Sequence, residues 1–169
     1  MAAGSPMRTS SRGLLALLLA LALLAGCRKP ADGFALVSRL AAEADGGRFS
    51  FDIDLEDETC TYLTAVAARI ATARLDRPEL ELQMTVTSPA GTTAIERVTF
   101  PVAAGDPVRV RRHDGSNLDF LWPWREDIRV SGAEIGRWHV VITVPDATQL
   151  RAVEGIGLSY QRKTWEKAN

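Results

Sequence analysis

The residue with the clearest chemical assignment in this chain is Cys27. It closes the run Leu24-Ala25-Gly26-Cys27, a leucine, two small residues and a cysteine. The run looks like a lipobox, the pattern cut by the lipoprotein signal peptidase. Small side chains fit the protease, the Cys27 thiol receives a diacylglyceryl group, and cleavage frees its amine. The preceding residues suit that chemistry. Arg8 and Arg12 form a positive n-region, and Gly13 to Leu24 is an uncharged apolar run of twelve. That length suits a signal h-region and falls short of the ~20 apolar residues needed to span a bilayer. Residues 1–26 are therefore read as a lipoprotein signal peptide, and Cys27 as the lipidated, palmitate-bearing start of the mature protein. A single acyl chain holds only marginally, at ~0.8 kcal/mol per buried CH₂, but two or three hold effectively permanently. Arg28 stands where an inner-membrane retention signal would put Asp. That favours the outer membrane, with the domain in the periplasm or at the cell surface.

The other reactive residue types read more blandly. With Cys27 carrying lipid, Cys60 is alone, and an internal disulfide is ruled out. A small buried side chain is its expected role. A nucleophilic cysteine needs a histidine partner, and nothing local ties His113 or His139 to it. His139 sits mid-strand opposite the Trp138 face, as a surface or cross-strand residue does. Asp52, Asp54, Glu56, Asp57 and Glu58 form an acidic cluster. Calcium takes about six or more oxygens, yet the EF-hand pattern fails here, because no glycine follows and Leu63 holds the closing position. Asp52, Asp54 and Glu56 read instead as a solvated strand face, and no metal is expected. G-x-S-x-G, H-E-x-x-H, a Walker loop and C-x-x-C do not occur. Carboxylate pairs for glycoside hydrolysis depend on a separation that sequence does not give. No catalytic residue and no cofactor are assigned, and the chain is read as not an enzyme.

Trp122-Pro123-Trp124-Arg125 is the most unusual local feature. Pro123 stiffens the backbone and holds the two indoles near each other in extended geometry. Exposed rigid aromatics suit protein partners or sugars. The polar stretch His113 to Asn117 precedes them and suggests a sandwich end where binding loops gather. Trp122, Trp124 and Arg125 are thus the candidate partner-binding residues. The competing role for either tryptophan is to plug the open end of the core. Arg109, Arg111 and Arg112 make a small basic face, which reads as a charge-balanced exposed strand.

These residues need a scaffold, and the pattern supplies one. The chain has 169 residues, 46% apolar and 24% charged, which is one globular domain of ordinary size. Twenty basic side chains meet 21 acidic ones, a balance that argues against a nucleic-acid binder, which needs a basic stripe. Without Arg8 and Arg12 the charge is −3. Residues 27–47 read as the lipidated cysteine, a tether and a short helix over Phe34 to Ala44, ended by Asp45-Gly46-Gly47. From Arg48 the period becomes two. Phe49, Phe51, Ile53 and Leu55 share one face, as do Leu80, Leu82, Met84 and Val86. Ser88-Pro89-Ala90-Gly91 is a turn, residues 93–100 return, and 107–112, 138–144 and 156–160 read as further strands. Cys60 to Leu75 fits a helical stripe and a strand face, and its four threonines favour the strand. Seven or eight strands without βαβ alternation predict an all-β, jelly-roll-like antiparallel sandwich over 48–169.

The C-terminal third carries a family resemblance. Gly136-Arg137-Trp138, then VVITV, then Leu150 through Glu154 and Gly155-Ile156-Gly157-Leu158 resemble the close of the GldH gliding-motility lipoprotein family of Bacteroidetes. Phe51-Asp52-Ile53, Thr61-Tyr62 through Arg69, and Pro89-Ala90-Gly91 match more weakly. The family's aromatic element after the second strand is replaced here by Leu75 to Leu80. The resemblance implies a non-catalytic structural or interaction component of the gliding and type IX secretion apparatus. Its expected partners are the membrane, through the N-terminal lipid, and envelope proteins. Nucleic acid and small-molecule ligands are not expected. The alternative from another class is a carbohydrate-binding lipoprotein of a glycan-uptake system, with Trp122 and Trp124 stacking on sugar rings.

Overall fold

The computed structural model describes residues 33–103, 109–112, 114 and 116–163. The expected signal peptide, Cys27, the tether 28–32, His113 and the side chains of Arg109 and Arg112 lie outside the described residues. Nine strands and two short helices are described. In chain order they are β1 (Gly33–Ser38), α1 (Arg39–Ala44), β2 (Arg48–Leu55), β3 (Thr61–Ile70), β4 (Glu79–Thr87), β5 (Thr93–Pro101), β6 (Arg109–Arg112), β7 (Leu118–Ile128), β8 (Gly136–Thr143), α2 (Ala147–Ala152) and β9 (Val153–Lys163). No helix among the described residues is long and apolar enough to cross a membrane.

The strands form two antiparallel sheets, ordered β1-β9-β3-β7-β6 and β2-β8-β4-β5. The order follows from one long ribbon. Strands β1 to β4 run out and pair in turn with β9, β8, β7 and β5 on the way back. Rolling that ribbon places β9 beside β3 and β8 beside β4. This is jelly-roll winding, with β6 added at the edge of the larger sheet. The expected all-β sandwich is what the chain forms.

Alternation explains most of the strands. Phe49, Phe51, Ile53 and Leu55 are buried on β2, while their neighbours face out. Leu80, Leu82 and Met84 do the same on β4. The ambiguous segment is strand β3, with Tyr62, Thr64, Val66, Ala68 and Ile70 turned inward. Its backbone is laddered on both sides, to β7 and to β9, so propensity had little say.

Two expectations are corrected. The helix over 34–44 is only Arg39–Ala44, because Gly33–Ser38 is a strand paired with Gly155–Tyr160. The Ser38 hydroxyl then accepts from the Ala41 N–H at 3.3 Å and starts the helix one turn late. The predicted end holds: the Gly47 N–H returns to the Ala42 carbonyl at 2.7 Å, and Gly46 and Gly47 take positive φ. The second correction is β7: the extended Trp122-Pro123-Trp124 run was expected at a sandwich end beside the loops, and it lies inside an eleven-residue strand.

Buried polar groups tie the layers. Gln149 of α2 is fully buried. Its Nε2 donates to the Glu79 carbonyl at 2.9 Å and its Oε1 accepts from the Glu81 N–H at 3.1 Å. It therefore extends the β4 hydrogen bonding into α2.

Candidate functional site

Trp122 and Trp124 are two positions apart on β7, so both point between the sheets. Their surroundings differ. Trp122 is 1% exposed. It stacks on Phe100 at 5.0 Å and on Phe120 at 5.3 Å between ring centroids. Its Nε1–H donates to the Pro101 carbonyl at 2.8 Å. With its polar edge satisfied and both faces covered, Trp122 is a core residue. The expectation that it meets a partner is corrected.

Trp124 is only half-buried, and Arg125 is exposed. The Trp124 Nε1–H donates to Glu96 Oε1 at 2.6 Å, and Arg125 Nη2 donates to Glu96 Oε2 at 2.9 Å. The Arg125 guanidinium lies 5.3 Å from the Trp124 ring centroid, in cation–π range. Glu96 therefore has both oxygens engaged and locks the pair in one arrangement.

The backbone beneath explains why the pair sits there. The β3–β7 register slips between Thr64 and Ala65, opposite Pro123 and Arg125. The buried Thr64 hydroxyl fills the slip, accepting from the Arg125 N–H at 3.2 Å and lying 3.3 Å from the Arg125 carbonyl. Pro123 has no N–H to give, and it sits where the ladder is already irregular. Within the described residues β6 pairs with Leu118–Leu121.

Beside Trp124 lies a groove of about 800 Å³ on the flank of the sandwich, within the usual range for a binding site. Its apolar lining residues are Ile53, Leu55, Val86, Val98, Val140 and Ile128. Trp124 and Trp138 stand in its wall, and Glu96, Arg125, Glu126, Asp127 and Arg129 line it with charge of both signs. The Trp138 Nε1–H donates to the Glu134 carbonyl at 2.8 Å, which fixes that ring too. A groove of mixed polar and apolar surface, with ordered indoles and a charged margin, can hold an amphipathic surface.

Sequence reasoning named Trp124 and Arg125 and missed Glu96 and Trp138. Glu96 shares an inward face with Val98 and Phe100 on β5, so a charge in phase with apolar residues was the available signal.

The remaining candidates lie elsewhere. The acidic face of β2 is answered by β8: Asp52 bonds His139 Nδ1 at 2.8 Å, and Arg137 Nε donates to Asp54 at 3.1 Å. Asp57 accepts from Thr59 and from Arg162, and these bonds, those from Thr59 foremost, hold its carboxyl below the usual range. Cys60 is buried, and burial pushes its thiol up, away from the reactive thiolate. His139, engaged with Asp52, does not reach it as a partner. Arg111 is exposed and cross-strand from Asp119, which Arg69 holds at 2.8 and 3.3 Å. No protein-family model matches the chain, and no curated protein matches it in sequence.

Proposed function

We propose that the chain is a lipoprotein anchored in the outer membrane through acylated Cys27. Its jelly-roll domain works in the periplasm or at the cell surface as a non-catalytic interaction component of an envelope machine. The groove beside Trp124 is the contact site. The observation that carries this reading is that groove: a lining of apolar and charged residues with two fixed indoles at one flank. Glu96 supports a binding role, because both its oxygens serve to position Trp124 and Arg125. The physical gain from the anchor is effective concentration: a weak groove contact becomes useful when lipid confines both partners to one surface. The likeness of that machine to the gliding and type IX secretion system rests on the sequence resemblance to GldH.

The test is a crosslinking pulldown of the intact lipoprotein from its own envelope, with wild type, Cys27→Ser and Trp124→Ala compared. Cys27→Ser should lose incorporation of a palmitate analogue and leave the membrane fraction. Trp124→Ala should stay in the membrane and lose the crosslinked partners. Unchanged partners together with lowered thermal stability would make Trp124 a packing residue and remove the groove from the proposal. A second reading is favoured by the same two indoles, which suit a sugar ring. Retention of the purified protein on a polysaccharide resin, abolished by Trp124→Ala, would select the carbohydrate-binding lipoprotein over the machine component.

A further inference from the structure

At the flank of the sandwich away from the groove, three large apolar side chains face solvent: Phe34 is 63% exposed, Leu36 45% and Leu40 74%. They follow one another on β1 and α1, and β1 is the outermost strand of its sheet. Phe34 and Leu36 lean across β9. A Cβ added to Gly157 would meet the Phe34 ring at 3.2 Å and the Ala35 carbonyl at 3.0 Å, and one on Gly155 would meet the Val37 carbonyl at 3.1 Å. The two glycines leave room above β9, so Phe34 and Leu36 lie low over the strand, with Leu40 exposed beside them in sequence on α1. The ions beside them answer one another: Arg39 holds Glu43 at 3.0 Å and Glu154 at 3.7 Å.

The chain itself says what lies against these side chains. Gly33 is six positions after Cys27, a reach of at most about 20 Å. Arg28 and Lys29 open that tether and suit anionic headgroups. We infer that Phe34, Leu36 and Leu40 rest on the lipid surface in which Cys27 is anchored, so that the lipid holds the domain by its β1 edge and turns the groove away from the bilayer. The inference depends on the anchor proposed above. Given a tether this short, these side chains meet headgroups at high effective concentration, and their shallow burial fixes the orientation.

The test uses the full lipoprotein, purified acylated and reconstituted into phosphatidylethanolamine–phosphatidylglycerol vesicles. An environment-sensitive fluorophore is placed at Leu40→Cys or at Ile95→Cys in a Cys60→Ala background. Ile95 is equally open at 66% exposure and lies on β5, the edge strand of the other sheet. Doxyl-labelled lipid should quench the label at 40 and leave that at 95 untouched. Hydrogen–deuterium exchange of the unlabelled protein gives a second measure: residues 33–40 should slow on vesicles relative to Cys27→Ser in buffer, and residues 93–101 should not. Vesicle-bound protein with equal quenching at both positions and unslowed exchange at 33–40 overturns the orientation and leaves the anchor standing. Protein without acyl mass on Cys27, failing to float with vesicles, overturns both.

Discussion

Trp122 and Trp124 share a strand, a face and a tripeptide, and they do different work. The difference comes from β5 across the gap. Phe100 stands opposite Trp122 and completes a three-ring stack. Two and four positions earlier come Val98 and then Glu96, and the carboxylate takes the Trp124 indole by its edge. The sandwich is thus sealed at one end of β7 and open at the other. The lesson is that the fate of an aromatic is set by its cross-sheet neighbour as much as by its own strand.

The largest effect separating the two is expected from Trp122→Ala. Removing a fully buried, hydrogen-bonded indole should cost about 3–5 kcal/mol, read as a fall in the urea midpoint. Partner capture would fall only in proportion to unfolded protein. A loss under about 1 kcal/mol would mean that the sealed end is looser than the ring stack implies.

Trp124→Ala comes next. The half-buried ring is worth about 1–2 kcal/mol of stability, but its removal should abolish capture of the proposed envelope partner while the domain stays folded. A stability loss equal to that of Trp122→Ala, with capture intact, would erase the distinction between the two ends. Third is Glu96→Gln. The Glu96–Arg125 pair is about a third to a half exposed, so its loss should cost less than about 1 kcal/mol. A double-mutant cycle with Arg125→Ala measures that coupling. The more sensitive readout is Trp124 emission in a Trp122→Phe, Trp138→Phe, Trp165→Phe background, which should shift as the 2.6 Å bond weakens.

The two ends were unequally legible in the sequence. Alternation exposed β2 and β4, each with one wet and one buried face, and the first half of β8 before Val140, Val141 and Ile142 all turn buried. On β7 the same alternation exists in Leu118, Phe120, Trp122 and Trp124. Pro123 and the run Arg125-Glu126-Asp127 disguise it, since proline is normally excluded from a strand interior. The slip at Thr64 that tolerates Pro123 depends on a residue 59 positions away. β1 was missed for the opposite reason. Phe34 and Leu36 are apolar on its outer side, so no polar face marks the period. The groove was the least legible feature, because it arises where β5 meets β7 across the two sheets and no local pattern encodes that meeting. The anchor proposed at Cys27, by contrast, is read from adjacent residues alone.

The smallest effect, and the last way to sharpen the comparison, is pH. The ring stack at the sealed end contains no titratable group, whereas Asp57 and Asp146 pin chain segments elsewhere. Asp146 caps α2, accepting from the Thr148 N–H at 2.7 Å and the Gln149 N–H at 3.4 Å, with Arg77 at 2.8 Å. Those bonds, the Thr148 one foremost, hold its carboxyl below the usual range. A carboxyl whose folded-state pKa is depressed binds fewer protons than the unfolded chain does. Its contribution is complete above the unfolded value of ~4 and disappears as pH falls through the folded value. The urea midpoint at fixed salt should therefore be flat in this contribution from pH 7 to 5 and decline below about 4. Asp146→Asn should flatten that decline, because the amide oxygen still caps but no longer titrates. Through the same range the near-ultraviolet circular dichroism of the Phe100, Phe120 and Trp122 cluster should persist in the folded fraction. A midpoint that rises on acidification would show that these carboxylates are not stabilised by folding. An aromatic signal lost before the midpoint falls would show that the sealed end depends on charge after all.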